Sequence, residues 1–155
     1  MAQRFLKKQR AAIAALVAFS LVTLSAAFGD PPFKHATLII ETARGPARLD
    51  VEVADTDSTR EQGLMFRRQI APGRGMIFLF DEARDISMWM KNTYISLDMV
   101  FIGDDWKIVR IERNTEPLST AIIPSIQPAS RVLEIGSGEA DRLGLKVGDR
   151  VRLTE

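Results

Sequence analysis

The chain has 155 residues, of which 46% are hydrophobic and 26% charged, with 21 basic and 20 acidic side chains, one histidine and no cysteine. That length suits one domain around one core. The nearly even charge gives no basic excess for binding nucleic acid. Without cysteine there are no disulfides, thiolate metal ligands or cysteine nucleophile.

The N-terminus reads as an address. Arg4, Lys7, Lys8 and Arg10 form a basic head, followed by the uncharged run AAIAALVAFSLVTL (Ala11 to Leu24) and the small residues Ser25-Ala26-Ala27. This order predicts a secretory signal peptide over residues 1–27, cleaved near Ala27. The apolar run is shorter than the ~20 residues of a bilayer span, so no stable membrane insertion is expected. The expected location is periplasmic or secreted. Removal of the four basic residues leaves 17 basic against 20 acidic groups, a mildly acidic mature protein.

Residues 28–34, FGDPPFK, predict a short extended leader, and residues 35–155 a single domain. HATLIIET and ARLDVEVA flank the turn Ala43 to Pro46. In the second run Leu49, Val51 and Val53 alternate with Asp50 and Glu52. Two antiparallel strands with one wet face are expected. His35, the only histidine, is expected on the surface. DTDSTREQGLMFRR changes period. Ser58 with Glu61 three residues on predicts a capped helix start, and Gly63 permits either an early helix end or a close backbone approach. Pro72-Gly73 breaks the chain.

Gly75 to Gly103 holds three apolar runs separated by DEARD and KNTYIS. They predict three adjacent buried strands. Asp104-Asp105 predicts a hairpin turn before the strand WKIVRIER. Asn114 to Ser130 has three prolines and no period, which predicts a long loop covering either a cleft or one end of a barrel. RVLEIGSG reads as a further strand, Glu139 to Leu143 as a short helix capped by Gly144, and the end of the chain as a last strand. The sum is a mainly antiparallel α+β domain, a curled or partly closed β-barrel with two short helices.

GLMFRR, GMIFLF, MWMKNTYISLDMVFI and VLEIGSG, in that order, resemble the DUF192 family, also called UPF0127, over about Val51 to Leu153. The resemblance implies a compact, mostly β domain of uncharacterised function, often secreted in bacteria. Met88 departs from it, because an aromatic residue is common before Trp89.

Candidate binding residues come from polar groups in apolar surroundings. Strand alternation in MWMKN separates Met88, Met90 and Asn92 from Trp89 and Lys91. Asp98 sits in the apolar strand SLDMVFI and Glu134 in VLEIG, and a buried carboxylate calls for a cation or several donors. Arg67 and Lys91 are the candidate cations for Asp98. The expected site is a cleft near Trp89, with Arg67, Lys91, Asn92, Asp98 and Glu134 contacting a small polar ligand such as a sugar, or an extended peptide. The structural alternative has Trp89 plugging the barrel and the charges fixing strand register. Two further readings are a carboxylate-dependent hydrolase using Asp98 and Glu134, and an envelope interaction module contacting partners through residues 114–130. No cofactor or metal is expected, and Asp81, Glu82 and Asp85 read as a solvated turn. Ser-His-Asp and phosphate-loop patterns are absent.

Overall fold

The computed structural model describes residues 33–154. The predicted signal peptide and most of the leader lie outside the described residues. Strands β1 (Lys34–Thr42) and β2 (Gly45–Ala54) form the expected antiparallel hairpin, paired from Lys34↔Val53 to Thr42↔Gly45. Helix α1 (Asp57–Gln62) then carries the chain across to β3 (Arg74–Arg84), which runs parallel to β2. β4 (Ser87–Met88), β5 (Leu97–Ile102), β6 (Ile108–Glu112), β7 (Ile123–Pro124) and β8 (Ala129–Gly136) follow, then helix α2 (Glu139–Leu143) and β9 (Arg150–Thr154).

Seven strands form one sheet in the order β6-β5-β8-β3-β2-β1-β9, and β4 pairs with β7 separately. The two ends of the large sheet meet. The Ile108 amide donates to the Asp149 carbonyl at 3.0 Å and the Val151 amide to the Trp106 carbonyl at 2.8 Å, beside an isolated bridge between Lys107 and Arg150. The sheet is a curled, partly closed barrel, mainly antiparallel, as the sequence predicts. Curling reduces the unpaired edge that an open sheet would present.

Two apolar clusters occupy the two faces. The concave face holds Leu38, Ile40, Leu49, Val51, Ile77, Val100, Leu133 and Ile135, capped by Ala140 and Leu145 from the α2 region. The convex face holds Met76, Phe78, Met99, Phe101 and Val132 under a cover that includes Leu64, Ile86 and Met90. Each such side chain contributes roughly 1.5–3 kcal/mol on burial. This second layer is why β5 is buried at every position and β3 is buried from Gly75 to Phe78.

Four local expectations are corrected. The runs in Gly75 to Gly103 are not adjacent strands, because β8 lies between β3 and β5 and hydrogen-bonds to both. DEARD is not a turn through its length, since β3 continues to Arg84. Of MWMKN only Met88 lies in a strand, at the end of β4. The Thr93 amide then bonds the Met90 carbonyl at 3.0 Å and Asn92 adopts φ 58°, a left-handed conformation that asparagine tolerates. Finally, the capping box of α1 is Thr56 with Thr59, not Ser58 with Glu61: the Thr59 amide donates to Thr56 Oγ1 and the Thr56 amide to Thr59 Oγ1.

Gly63 satisfies both of its expected roles. It ends α1 at φ 48°, and a Cβ there would lie 3.2 Å from the Phe78 ring. The 114–130 segment is not structureless. It contributes β7, and it is tied to the 90–97 stretch by the Met90 amide to Ser119 carbonyl and Leu118 amide to Thr93 carbonyl bonds, both 3.0 Å. Its Ile123 packs on the convex-face cluster, while Ile122 and Ile126 are exposed.

Candidate functional site

The register places one row of side chains across the convex face: Glu52 opposite Met76, Met76 opposite Glu134, Glu134 opposite Met99 and Met99 opposite Glu112. The outer two acids are compensated. Arg67 grips Glu52 with two bonds of 2.6 Å, a fork geometry that strengthens the pair, and Arg110 pairs with Glu112.

Glu134 is different. It is 5% exposed, with uncharged methionines on both sides, and its carboxyl makes no hydrogen bond or ion pair among the described residues. Burial alone pushes its pKa from 4.5 up to about 8, so the carboxyl is mostly neutral at pH 7. No fully enclosed side-chain oxygen or nitrogen lacks a partner among the described residues. The Glu134 oxygens therefore keep a narrow contact with the space above them.

That space is a cavity of about 40 Å³, lined by the end of α1 and the turn after it (Arg60 to Met65), by Phe78, and by Met88, Trp89, Lys91 and Thr93. Through Arg60, Glu61, Phe78, Met88 and Trp89 it adjoins a cleft of about 300 Å³ that also reaches Phe80, Arg84 and Ser87. Trp89 stands at the rim, 48% exposed, with the Lys91 ammonium 5.5 Å from its ring centre. It does not plug the barrel, because the strand ends at Met88 and the next inward side chain is Met90. Arg60 is already engaged. It donates to the Leu79 carbonyl and to Asp57, both at 2.7 Å, and lies 5.6 Å from the Phe80 ring centre.

The six residues expected to form one site thus divide. Trp89, Lys91 and Glu134 share the cavity. Arg67 is held by Glu52 beside a separate hollow of about 210 Å³ lined by His35, Asp50 and Arg74 among others. Asn92 shapes the turn, its carbonyl accepting from the Phe66 amide at 2.8 Å and its side-chain amide lying 3.8 Å from the Met65 sulfur.

Asp98 lies on the concave face, in register with Ile135, and pairs with neither Arg67 nor Lys91. Its oxygens accept from the backbone amides of Asn114 at 3.0 Å and Ala140 at 2.9 Å, which ties the first turn of α2 to the sheet. Two amide donors and the positive end of a helix satisfy a buried carboxylate without a cation. Asp98 and Glu134 consequently face opposite sides of the sheet, with no space common to both carboxyls. Among the described residues no group of three or more His, Asp or Glu side chains is placed to hold a metal ion.

A family model for DUF192, described as an uncharacterized ACR, matches residues 39–153. The chain belongs to the DUF192 family. A crystal structure of a candidate transcription regulator from Sinorhizobium meliloti 1021 is 47% identical to this DUF192 protein. It covers 81% of this chain and 98% of its own, with a TM-score of 0.77. A protein of unknown function from Novosphingobium aromaticivorans DSM 12444 is 35% identical over 77% of this chain and 86% of its own, with a TM-score of 0.75. A search of curated proteins finds no match.

Sequence reading missed Arg60, Phe78 and Thr93 as lining residues. Arg60 looks like an ordinary helix position and reaches the cavity through the placement of α1, while Phe78 looks like core and comes beside Glu134 through the β3–β8 register, in which Met76 faces Glu134 and Phe78 faces Val132. The signal for Glu134 itself was present: one acid in VLEIG with apolar neighbours on both sides.

Proposed function

We propose that this DUF192 protein is an exported binding module that holds a small polar ligand, or the end of an extended peptide, in the cleft between α1 and Trp89. The observation that carries this reading is the unpartnered Glu134 carboxyl at the floor of the cavity. A buried polar group without a partner costs about 1–3 kcal/mol, and its two register neighbours show that this position accepts methionine-sized apolar surroundings. Its retention at that cost suits a group whose partner arrives from outside. The half-exposed Trp89 offers an aromatic wall beside it, a usual arrangement for orienting a sugar ring or an apolar side chain.

The test is a thermal-shift screen of sugars, short peptides and nucleotides on wild type and Trp89→Ala. A ligand at ~100 times its dissociation constant adds about 2.7 kcal/mol of stability, several degrees in a domain this size. A shift present in wild type and absent in a folded Trp89→Ala supports the reading. Equal shifts in both proteins, or none, remove it. The hydrolase reading has no support in the geometry, because its two carboxyls lie on opposite faces. The description of the Sinorhizobium protein as a transcription regulator finds no echo in the charge of this chain, 21 basic against 20 acidic over its full length and 17 against 20 without the predicted signal peptide.

A second reading has its own observation. Leu118, Ile122 and Ile126 are 55%, 57% and 71% exposed on one segment, and Leu118 and Ile126 hold positive φ values of 63° and 67°. A left-handed β-branched residue is strained, and strain held at an exposed apolar surface suits a contact with an envelope partner. Replacing Ile122 and Ile126 with serine would then abolish partner capture while leaving cleft binding intact.

A further inference from the structure

We propose that the Glu134 cavity is a receptor for a carboxylate, and that the ligand is an acid with an apolar tail lying in the adjoining cleft, such as a free peptide C-terminus or a small aryl-alkyl acid. The proposal rests on the cleft being the binding site and names the chemistry it takes.

Three of the groups on residues lining the cavity are donors with no acceptor among the described residues. The Glu134 carboxyl lies at its floor without a partner, and in its neutral form it presents an O–H. The Lys91 ammonium faces the Trp89 ring and has no carboxylate within ion-pair distance among the described residues. Leu64, 2% exposed and lining the same cavity, has a backbone amide that donates to no acceptor among the described residues. Three donor groups of this kind around one space are complementary to an oxyanion. An O–H to carboxylate bond and an ammonium to carboxylate bond are both of the charge-assisted, stronger kind.

Size agrees. About 10–15 Å³ of such volume admits one water, so about 40 Å³ admits a carboxylate-sized group and little more. The remainder of the ligand would lie in the cleft of about 300 Å³, against Phe78, Phe80, Met88 and Trp89.

The protonation balance separates an acid from an amine. Burial holds Glu134 mostly neutral below about pH 8, so an anion binds at pH 7 without any ionisation, whereas a cation must first expel the proton. The other charged groups around the cavity are Arg60, bonded to Asp57, and Glu61 and Lys91, both exposed. On the flanking strands Met76 and Met99 are uncharged, and beyond them Glu52 and Glu112 are paired with Arg67 and Arg110. No positive group is fixed against Glu134 to hold it ionised.

Calorimetric titration of the full-length protein tests this with acetyl-Ala-Ala-Phe and 3-phenylpropanoate, each against its C-terminal amide, and with 2-phenylethylamine. The acids should bind at least 10-fold more tightly than their amides at pH 7. Acid affinity should fall about 10-fold per pH unit above pH 8. Lys91→Ala should weaken the acids about 10-fold. Glu134→Gln, which keeps a donor and cannot ionise, should preserve acid binding and erase the pH dependence. The two acids distinguish a peptide end from a small metabolite as the source. Acid and amide binding equally, or the amine binding in preference with loss in Glu134→Gln, overturns the carboxylate assignment. A sugar or nucleotide that binds through Trp89 while every acid fails also overturns it, and leaves the cleft as a binding site.

Discussion

At the residue scale, burial without a partner singles out Glu134. Its carboxyl is raised from 4.5 to about 8. Between those two values the folded chain keeps a proton that the unfolded chain has released, so stability falls as pH rises across that window and levels off above it. The slope is at most about 1.4 kcal/mol per pH unit. Glu134→Gln should flatten that profile and be more stable than wild type at pH 8, as read from urea-unfolding midpoints. A variant less stable than wild type at that pH would mean that the carboxyl holds a partner in solution. Removing the Asp98 carboxyl should destabilise the fold. Asp98→Ala strips the acceptor from two backbone amides and should lose about 2–4 kcal/mol, while Trp89→Ala, at a half-exposed rim position, should lose under about 1 kcal/mol. Those two unfolding free energies, measured side by side, separate a structural carboxylate from a binding aromatic.

At the scale of elements, the connection from β2 to β3, residues 55–73, does most to shape the site. Helix α1 has six residues and lies beneath the length at which helices hold themselves, so it depends on its cap and on packing against the sheet. Thr56→Ala should cost about 1 kcal/mol by removing the side-chain acceptor for the Thr59 amide, and Ser58→Ala should change stability by less than about 0.5 kcal/mol. Thermal unfolding of the two variants is the check, and equal losses would return the cap to Ser58. The turn after α1 depends on Gly63, where φ 48° and a Phe78 ring 3.2 Å from any added Cβ oppose substitution. Since Phe78 also lines the cavity, the glycine sets how closely α1 approaches Glu134.

At the scale of the molecule, the fold is a curled sheet with a core on each face. The interior strands β3, β8 and β2 are paired on both sides, whereas the β6–β9 seam rests on a few backbone bonds around Lys107 and Arg150. Hydrogen exchange should therefore find the amides of β3 and β8 slowest, and those of Ile108 and Val151 exchanging faster through opening of the seam. Uniform protection around the barrel would show the closure to be as firm as the rest of the sheet.

The amino-acid pattern by itself determined the fold class, the β1–β2 hairpin, the short helix before Gly144 and the family. These follow from alternation, turn residues and local caps, which are properties of neighbours in sequence. It also marked Glu134 and Asp98 as polar groups in apolar strands. Only the tertiary structure decided what each acid does. Both occupy β-strands that are apolar on either side, so the sequence signal is the same for the two. Strand order and register then place Asp98 on the concave face against two free backbone amides, and Glu134 on the convex face between methionines. The same holds for MWMKN, whose alternation mimics a strand until the turn at Asn92 and the bonds from Leu118 and Ser119 pull it out of the sheet. Periodicity reports which residues share a face. What lies across that face depends on long-range pairing, such as β8 inserting between β3 and β5, and that pairing is set by the packing of the whole chain.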